Sequence, residues 1–188
     1  LILISTPVDF HTSGNLVSQL LNKVDIKLIT DTTGNIPGSW LTHFFISLRP
    51  FELVGKKYLR FMEKMEDKTF ADRFLRVEKW LRDAQDQPGK AFAEFVEQCY
   101  QKNGLIKGTM RMKNKKIDLK KITIPVLNIM AEDDEIVPPL ASAPLKRYIT
   151  TEDYTSLTLP SGHIGIYVSE KVGDRLSRSI SDWLSGRV

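Results

Sequence analysis

Two residues carry the chemistry this sequence can do. Asp134 lies in the acidic turn Ala131-Glu132-Asp133-Asp134-Glu135, and His163 lies in Pro160-Ser161-Gly162-His163-Ile164-Gly165. A carboxylate beside an imidazole fixes the ring's tautomer and stabilises its cation, which makes the histidine a general base. Glycines around a histidine let a loop turn tightly and pack closely. Asp133 competes with Asp134 for the acid role. Asp9 is a third candidate, because it too follows a strand-like run. Read alone, each aspartate is as readily a turn or cap residue.

The elements that must position these side chains show in the pattern of apolar residues. Ile124 to Met130 is a run with both faces buried, with Pro125 at its start, where a missing N–H is tolerated. The acidic turn follows it. Residues 138–149 are expected to be a helix, Tyr154 to Leu159 alternates like a strand, and the Gly-His loop follows. Ser169 is placed to cap a last helix with Val172, Leu176, Ile180, Trp183 and Leu184 on one face. Leu1 to Ser5 reads as another buried strand. The order strand–acidic turn–helix–strand–histidine loop–helix defines an α/β fold with parallel strands. Functional groups of such sheets gather beyond the carboxyl ends of the strands, where both loops lie.

The middle of the chain has a different character. Trp40 to Phe51 is a bulky apolar cluster, and Phe51 to Met65 reads as a charged helix. Phe74, Val77 and Leu81, widened by Leu75 and Trp80, make an amphipathic helix that ends at Asp86-Gln87-Pro88-Gly89. Phe92, Phe95, Val96, Cys99 and Tyr100 line the next one. Residues 107–121 form a basic hairpin or meander, which a solvated role explains better than coenzyme A or acidic partners do.

Composition narrows the function classes. The 188 residues are 41% hydrophobic and 27% charged, with one cysteine and a net charge of +4. This is globular composition, not a disordered or disulfide-stapled one. No apolar run reaches the ~20 residues of a membrane helix. The mild basic excess comes with no nucleic-acid motif, and no His, Cys, Asp or Glu spacing suggests a metal. His11 and His43 have no catalytic context. The missing part is a nucleophile. No G-x-S-x-G or G-x-C-x-G turn occurs, and Cys99 sits mid-helix in an apolar stripe, a poor setting for an activated thiol. The chain opens as if inside a strand, so it reads as a fragment.

Residues 124–139 resemble the acid motif of polyhydroxyalkanoate synthases, and 161–168, Ser-Gly-His-Ile-Gly-Ile-Tyr-Val, resemble their histidine motif. Leu3 to Phe10 is similar to the strand just after the family's nucleophile turn. Residues 74–80 and 104–108 are similar to the cap of its short-chain, two-subunit types. The resemblance implies the C-terminal part of an α/β-hydrolase fold, with residues 1–10 and 122–188 as core and 11–121 as a largely helical cap. It implies Asp134 as the triad acid, His163 as the base, and a cysteine nucleophile upstream of residue 1, without which the chain is inactive. Glu135 stands where some members have His and reads as a tuning position. No cofactor is implied, since the substrate is itself a coenzyme A thioester, an (R)-3-hydroxyacyl-CoA. The implied partners are the growing polyester, a second synthase subunit or a second copy, and the granule surface, in a cytoplasmic setting. Two other readings stay open. One is an esterase or lipase with a serine nucleophile. The other is a non-catalytic interaction module, in which Asp134 and His163 fail to meet.

Overall fold

The computed structural model describes residues 1–48 and 50–187. Its strands, in chain order, are β1 (Ile2–Ile4), β2 (Arg111–Met112), β3 (Lys115–Lys116), β4 (Val126–Ala131) and β5 (Tyr154–Leu159). β1, β4 and β5 form a parallel sheet in the order β1-β4-β5, and β2 pairs with β3 in a hairpin. The chain divides into two compact units, Leu1–Val24 with Phe95–Val188, and Asp25–Glu94. Residues 11–24 and 95–121 fall in the same unit as the three parallel strands.

The first unit is built around β4, all six of whose residues are buried. Successive residues point to opposite faces, so a strand covered on both sides must be apolar throughout. On one face Leu127, Ile129, Ala131 and Leu159 join Ile166 and Val172, with Leu176, Ile180 and Trp183 of the final helix, Glu170–Ser185, packed against them. On the other face Val126 packs with Val8, Leu145 and Ile149. Burying each such side chain contributes about 1.5–3 kcal/mol, so the two clusters hold the strands in register. The second face also carries a polar staple. Asn128 Nδ2 donates to the Ser142 carbonyl at 3.1 Å and to the Tyr154 hydroxyl at 2.9 Å, and Ser142 Oγ donates to the Thr6 carbonyl at 2.7 Å. This staple ties the short helix Pro139–Ser142, just beyond the acidic turn, to the sheet.

Three local expectations are corrected. Residues 138–149 are not one α-helix: one turn, Pro139–Ser142, passes into a 3₁₀ turn, Ala143–Arg147. Pro144 has no N–H to donate, so the α ladder cannot continue through it. Ser169 occupies the N-cap of the last helix, but its side chain makes no capping bond. Leu184 is exposed rather than part of the buried stripe.

The second unit is helical: Ile26–Thr33, Gly38–Leu48, the π-helical turn Phe51–Lys56 running into Lys57–Lys64, and Lys68–Arg82. Arg49, within the apolar cluster read from the sequence, lies outside the described residues. Phe74 stacks on Phe61 at 4.3 Å and meets Tyr58 edge-on. Beside them Glu78 accepts 2.6 Å bonds from both Lys57 Nζ and the Tyr58 hydroxyl. Burial pushes the Glu78 carboxyl up, but these two bonds, with the Lys57 and Arg82 charges, outweigh it and hold the carboxyl below the ordinary range. Phe74, Val77 and Leu81 are half-buried, whereas Leu75 and Trp80 face outward.

The basic run folds as the expected hairpin. Lys113 and Asn114 both have positive φ, which a two-residue turn between twisted strands requires. Residues 107–121 hold seven Lys or Arg and one Asp, more positive charge than the whole chain's excess. Among the described residues no helix is long and apolar enough to cross a membrane.

Candidate active site

β4 ends at Ala131 and β5 at Leu159, and the loops beyond them continue to pair. Glu132 N–H donates to the Leu159 carbonyl at 2.8 Å, and Asp133 N–H to the Ser161 carbonyl at 3.0 Å. This extension draws the acidic turn and the histidine loop together above the sheet. A Cβ at Gly165 would lie 2.5 Å from Ser161 Oγ, so a larger residue there would have to turn the serine hydroxyl aside. A Cβ at Gly162 would meet the Asp133 carbonyl at an ordinary 3.6 Å.

Asp134 and His163 meet. Nδ1 of His163 lies 2.8 Å from Asp134 Oδ2. The other oxygen, Oδ1, accepts from the N–H groups of Ile136 at 3.0 Å and Val137 at 2.7 Å. The Asp134 side chain has no solvent exposure, whereas that of His163 is 27% exposed. A buried carboxylate needs such bonds, because burying a charge without partners is prohibitive. A carboxylate only accepts, so Nδ1 carries the hydrogen and Nε2 is left with a bare lone pair. An imidazole in this tautomer, with its outer edge open, can remove a proton from a group brought to Nε2.

The other candidates fall elsewhere. Asp133 is exposed, and its bond to the histidine loop runs through its backbone. Asp9 Oδ1 accepts from His11 N–H and from Asn103 Nδ2, while Asn103 Oδ1 accepts from Phe10 N–H, so this carboxylate holds a turn. His11 Nε2 lies 2.7 Å from the Tyr100 carbonyl, and His43 Nδ1 lies 2.6 Å from the Ser39 carbonyl one helical turn back. Burial pushes the Cys99 thiol up to about 11, so it stays protonated at neutral pH. That removes the reactivity a nucleophile needs. Glu135 is exposed. Among the described residues no three His, Cys, Asp or Glu side chains cluster to hold a metal ion.

Two contributions escaped the sequence reading. The Ile136 and Val137 N–H groups fix Asp134 through a side-chain turn two and three residues on, a habit of aspartate that the spacing could have suggested. Tyr167 stands four residues after His163, the spacing of one helical turn. Its hydroxyl is 3.5 Å from the Ile4 carbonyl at the carboxyl end of β1. Burial, then the Asp134 charge, raises its pKa above that of an ordinary phenol.

A parallel sheet that presents a buried carboxylate and a half-open imidazole from successive strand ends has the α/β-hydrolase fold, with the acid and base order of that fold. The chain belongs to a protein family described as of unknown function, DUF3141, which matches residues 26–185. Over 187 residues it is 46% identical to the poly(3-hydroxyalkanoate) polymerase subunit PhaC of Thiocystis violacea and, equally, to that of Allochromatium vinosum. It covers 100% of this chain and 53% of each relative. A third PhaC, from a Synechocystis strain, is 40% identical over 194 residues and is covered to 51%. The chain thus spans about half the length of the curated relatives it matches. Among solved structures, Rv0554 of Mycobacterium tuberculosis matches with a TM-score of 0.52 and 15% identity, over 98% of this chain and 56% of that one. A thermophilic esterase from Thermogutta terrifontis matches at 0.50 and 14%, over 99% and 55%. At such identities these two likenesses speak for the fold alone.

Proposed function

We propose that this chain is the C-terminal portion of a polyhydroxyalkanoate synthase catalytic subunit. It is an acyltransferase that joins (R)-3-hydroxyacyl groups from their coenzyme A thioesters into a polyester. Asp134 is the triad acid, His163 the general base, and the nucleophile is a cysteine from a part of the protein outside these 188 residues. The observation that carries the reading is the 2.8 Å bond from His163 Nδ1 to the buried Asp134. The likeness to the PhaC subunits supports the choice of substrate. The non-catalytic module expects the two side chains to lie apart, and they do not.

The chemistry follows from the tautomer. His163 Nε2 takes the thiol proton of the cysteine, and Asp134 stabilises the imidazolium that forms. The thiolate attacks the thioester carbonyl, the carbon–sulfur bond to coenzyme A breaks, and the departing thiolate takes the proton from His163. In the next cycle His163 deprotonates the hydroxyl that attacks a thioester, and the chain grows by one ester. General-base assistance of this kind contributes about 10²–10⁴-fold. No cofactor enters these steps. A second synthase subunit, a second copy and the polyester granule surface are the proposed partners.

The test is release of coenzyme A from (R)-3-hydroxybutyryl-CoA by the full-length protein that contains this chain. The expected result is thiol release with insoluble polymer, both lost in His163→Ala. Soluble hydroxy acid from a serine enzyme would replace the synthase with an esterase. Unchanged turnover in His163→Ala would remove the histidine from the reaction.

A further inference from the structure

Tyr167 stands on the short helix Gly165–Val168, which follows His163 directly. Its side chain is half-exposed, and its hydroxyl reaches the carboxyl end of β1. At 3.5 Å the bond to the Ile4 carbonyl is at the limit of such contacts, so the hydroxyl is free to take a better acceptor. Ser5, the next residue, has a buried hydroxyl without a partner among the described residues and a φ of +44°. Left-handed backbone on a residue other than glycine is a strain that gathers at functional sites. A phenol is protonated at neutral pH, and burial, then the Asp134 charge, raises its pKa further, so it is present there as a donor.

We propose that Tyr167 is a further catalytic residue, whose phenolic O–H donates a hydrogen bond to the oxygen of the hydroxyl that attacks the thioester during chain elongation. The proposal rests on the synthase reading. An attacking hydroxyl has one hydrogen and two lone pairs to place. Its hydrogen goes to His163 Nε2, one lone pair forms the new bond to the thioester carbon, and the second accepts from Tyr167. The carbon–oxygen bond forms, the carbon–sulfur bond breaks, and the leaving thiolate takes the proton from His163. Tyr167 keeps its own proton throughout. Acylation of the cysteine involves no attacking hydroxyl and so makes no use of the phenol.

That asymmetry provides the test. In the full-length protein, rapid mixing with (R)-3-hydroxybutyryl-CoA separates a first, stoichiometric release of coenzyme A from steady turnover. In Tyr167→Phe the first release keeps its amplitude and rate, while steady turnover falls roughly tenfold, the scale of one hydrogen bond to a reacting group. Two unchanged phases would overturn the role. So would two phases that fall together with the melting temperature, the mark of a merely structural residue. His163→Ala, run alongside, loses both phases. If it keeps the first release, the synthase mechanism itself fails, whatever Tyr167 does.

Discussion

Replacing Asp134 by asparagine preserves the shape of the site and reverses its central hydrogen bond. The side-chain oxygen still accepts from Ile136 and Val137, which hold it in place. The amide nitrogen then faces His163 Nδ1 and donates to it, so the ring hydrogen moves to Nε2 and the base loses its lone pair. We expect Asp134→Asn in the full-length protein to lower coenzyme A release by about 10³–10⁴-fold, as loss of the correct tautomer does in triad enzymes. Its folding should change little. Steady-state thiol release and circular dichroism melting check the two halves of this prediction. Activity within tenfold of the parent would show that the Nδ1 bond does not hold the base. At this scale the sequence was legible for a physical reason. An acid and a histidine in loops after successive parallel strands are brought to one end of the sheet by topology alone. What it left open was which of two adjacent aspartates points inward. The backbone donors of Ile136 and Val137 decide that, and backbone donors look alike in every sequence.

Individual elements were legible where one face decides them and obscure where neighbours do. β4 and β5 follow from runs of apolar and alternating residues. The break at Ala143-Pro144 was written in the proline, but the apolar run on either side masked it. Leu75 and Trp80 extend the stripe of their helix in sequence yet face outward, while Phe74 takes the side toward Phe61 and Tyr58. The polar bond between these two helices makes its own prediction. The Glu78 carboxyl lies below its ordinary value of 4.5, so its stabilising contribution is fully present above that pH and is lost as pH falls through its folded value. Glu78→Gln should therefore cost about 1–3 kcal/mol at pH 7, a few degrees in melting temperature. The difference should close as pH falls through the folded value, below which the parent carboxyl is neutral too. Melting curves at pH 7 and across the acid range test the sign, and a difference that does not change with pH would mean that the charge plays no part.

For the whole molecule the deciding feature is the open side of the sheet. β1 pairs along one edge with β4, from Ile2 with Leu127 to Ile4 with Ile129, and among the described residues no strand pairs with its other edge. Ile2 and Ile4 pack on one face and Leu3 on the other, so the strand is held in place; on its outer edge the Ile4 carbonyl accepts from the Thr6 hydroxyl at 3.2 Å and the Tyr167 hydroxyl at 3.5 Å, and the Ile2 groups face outward. An unpaired strand edge offers its N–H and carbonyl groups to a further strand. The curated relatives are about twice as long as this chain, and a parallel strand from the rest of such a protein is the natural neighbour of β1. Without it, the nearest substitute is the same edge of another copy. The 188-residue chain produced alone should therefore sediment as species heavier than its 21.5 kDa, in proportions that rise with concentration. On the proposed function it should also release no coenzyme A, since that reading takes the nucleophile from outside these 188 residues. Sedimentation velocity over a hundredfold range of concentration is the measurement. A chain that stays monomeric throughout would show that the edge of β1 is already covered, and the case for a strand from elsewhere in the protein would fall with it.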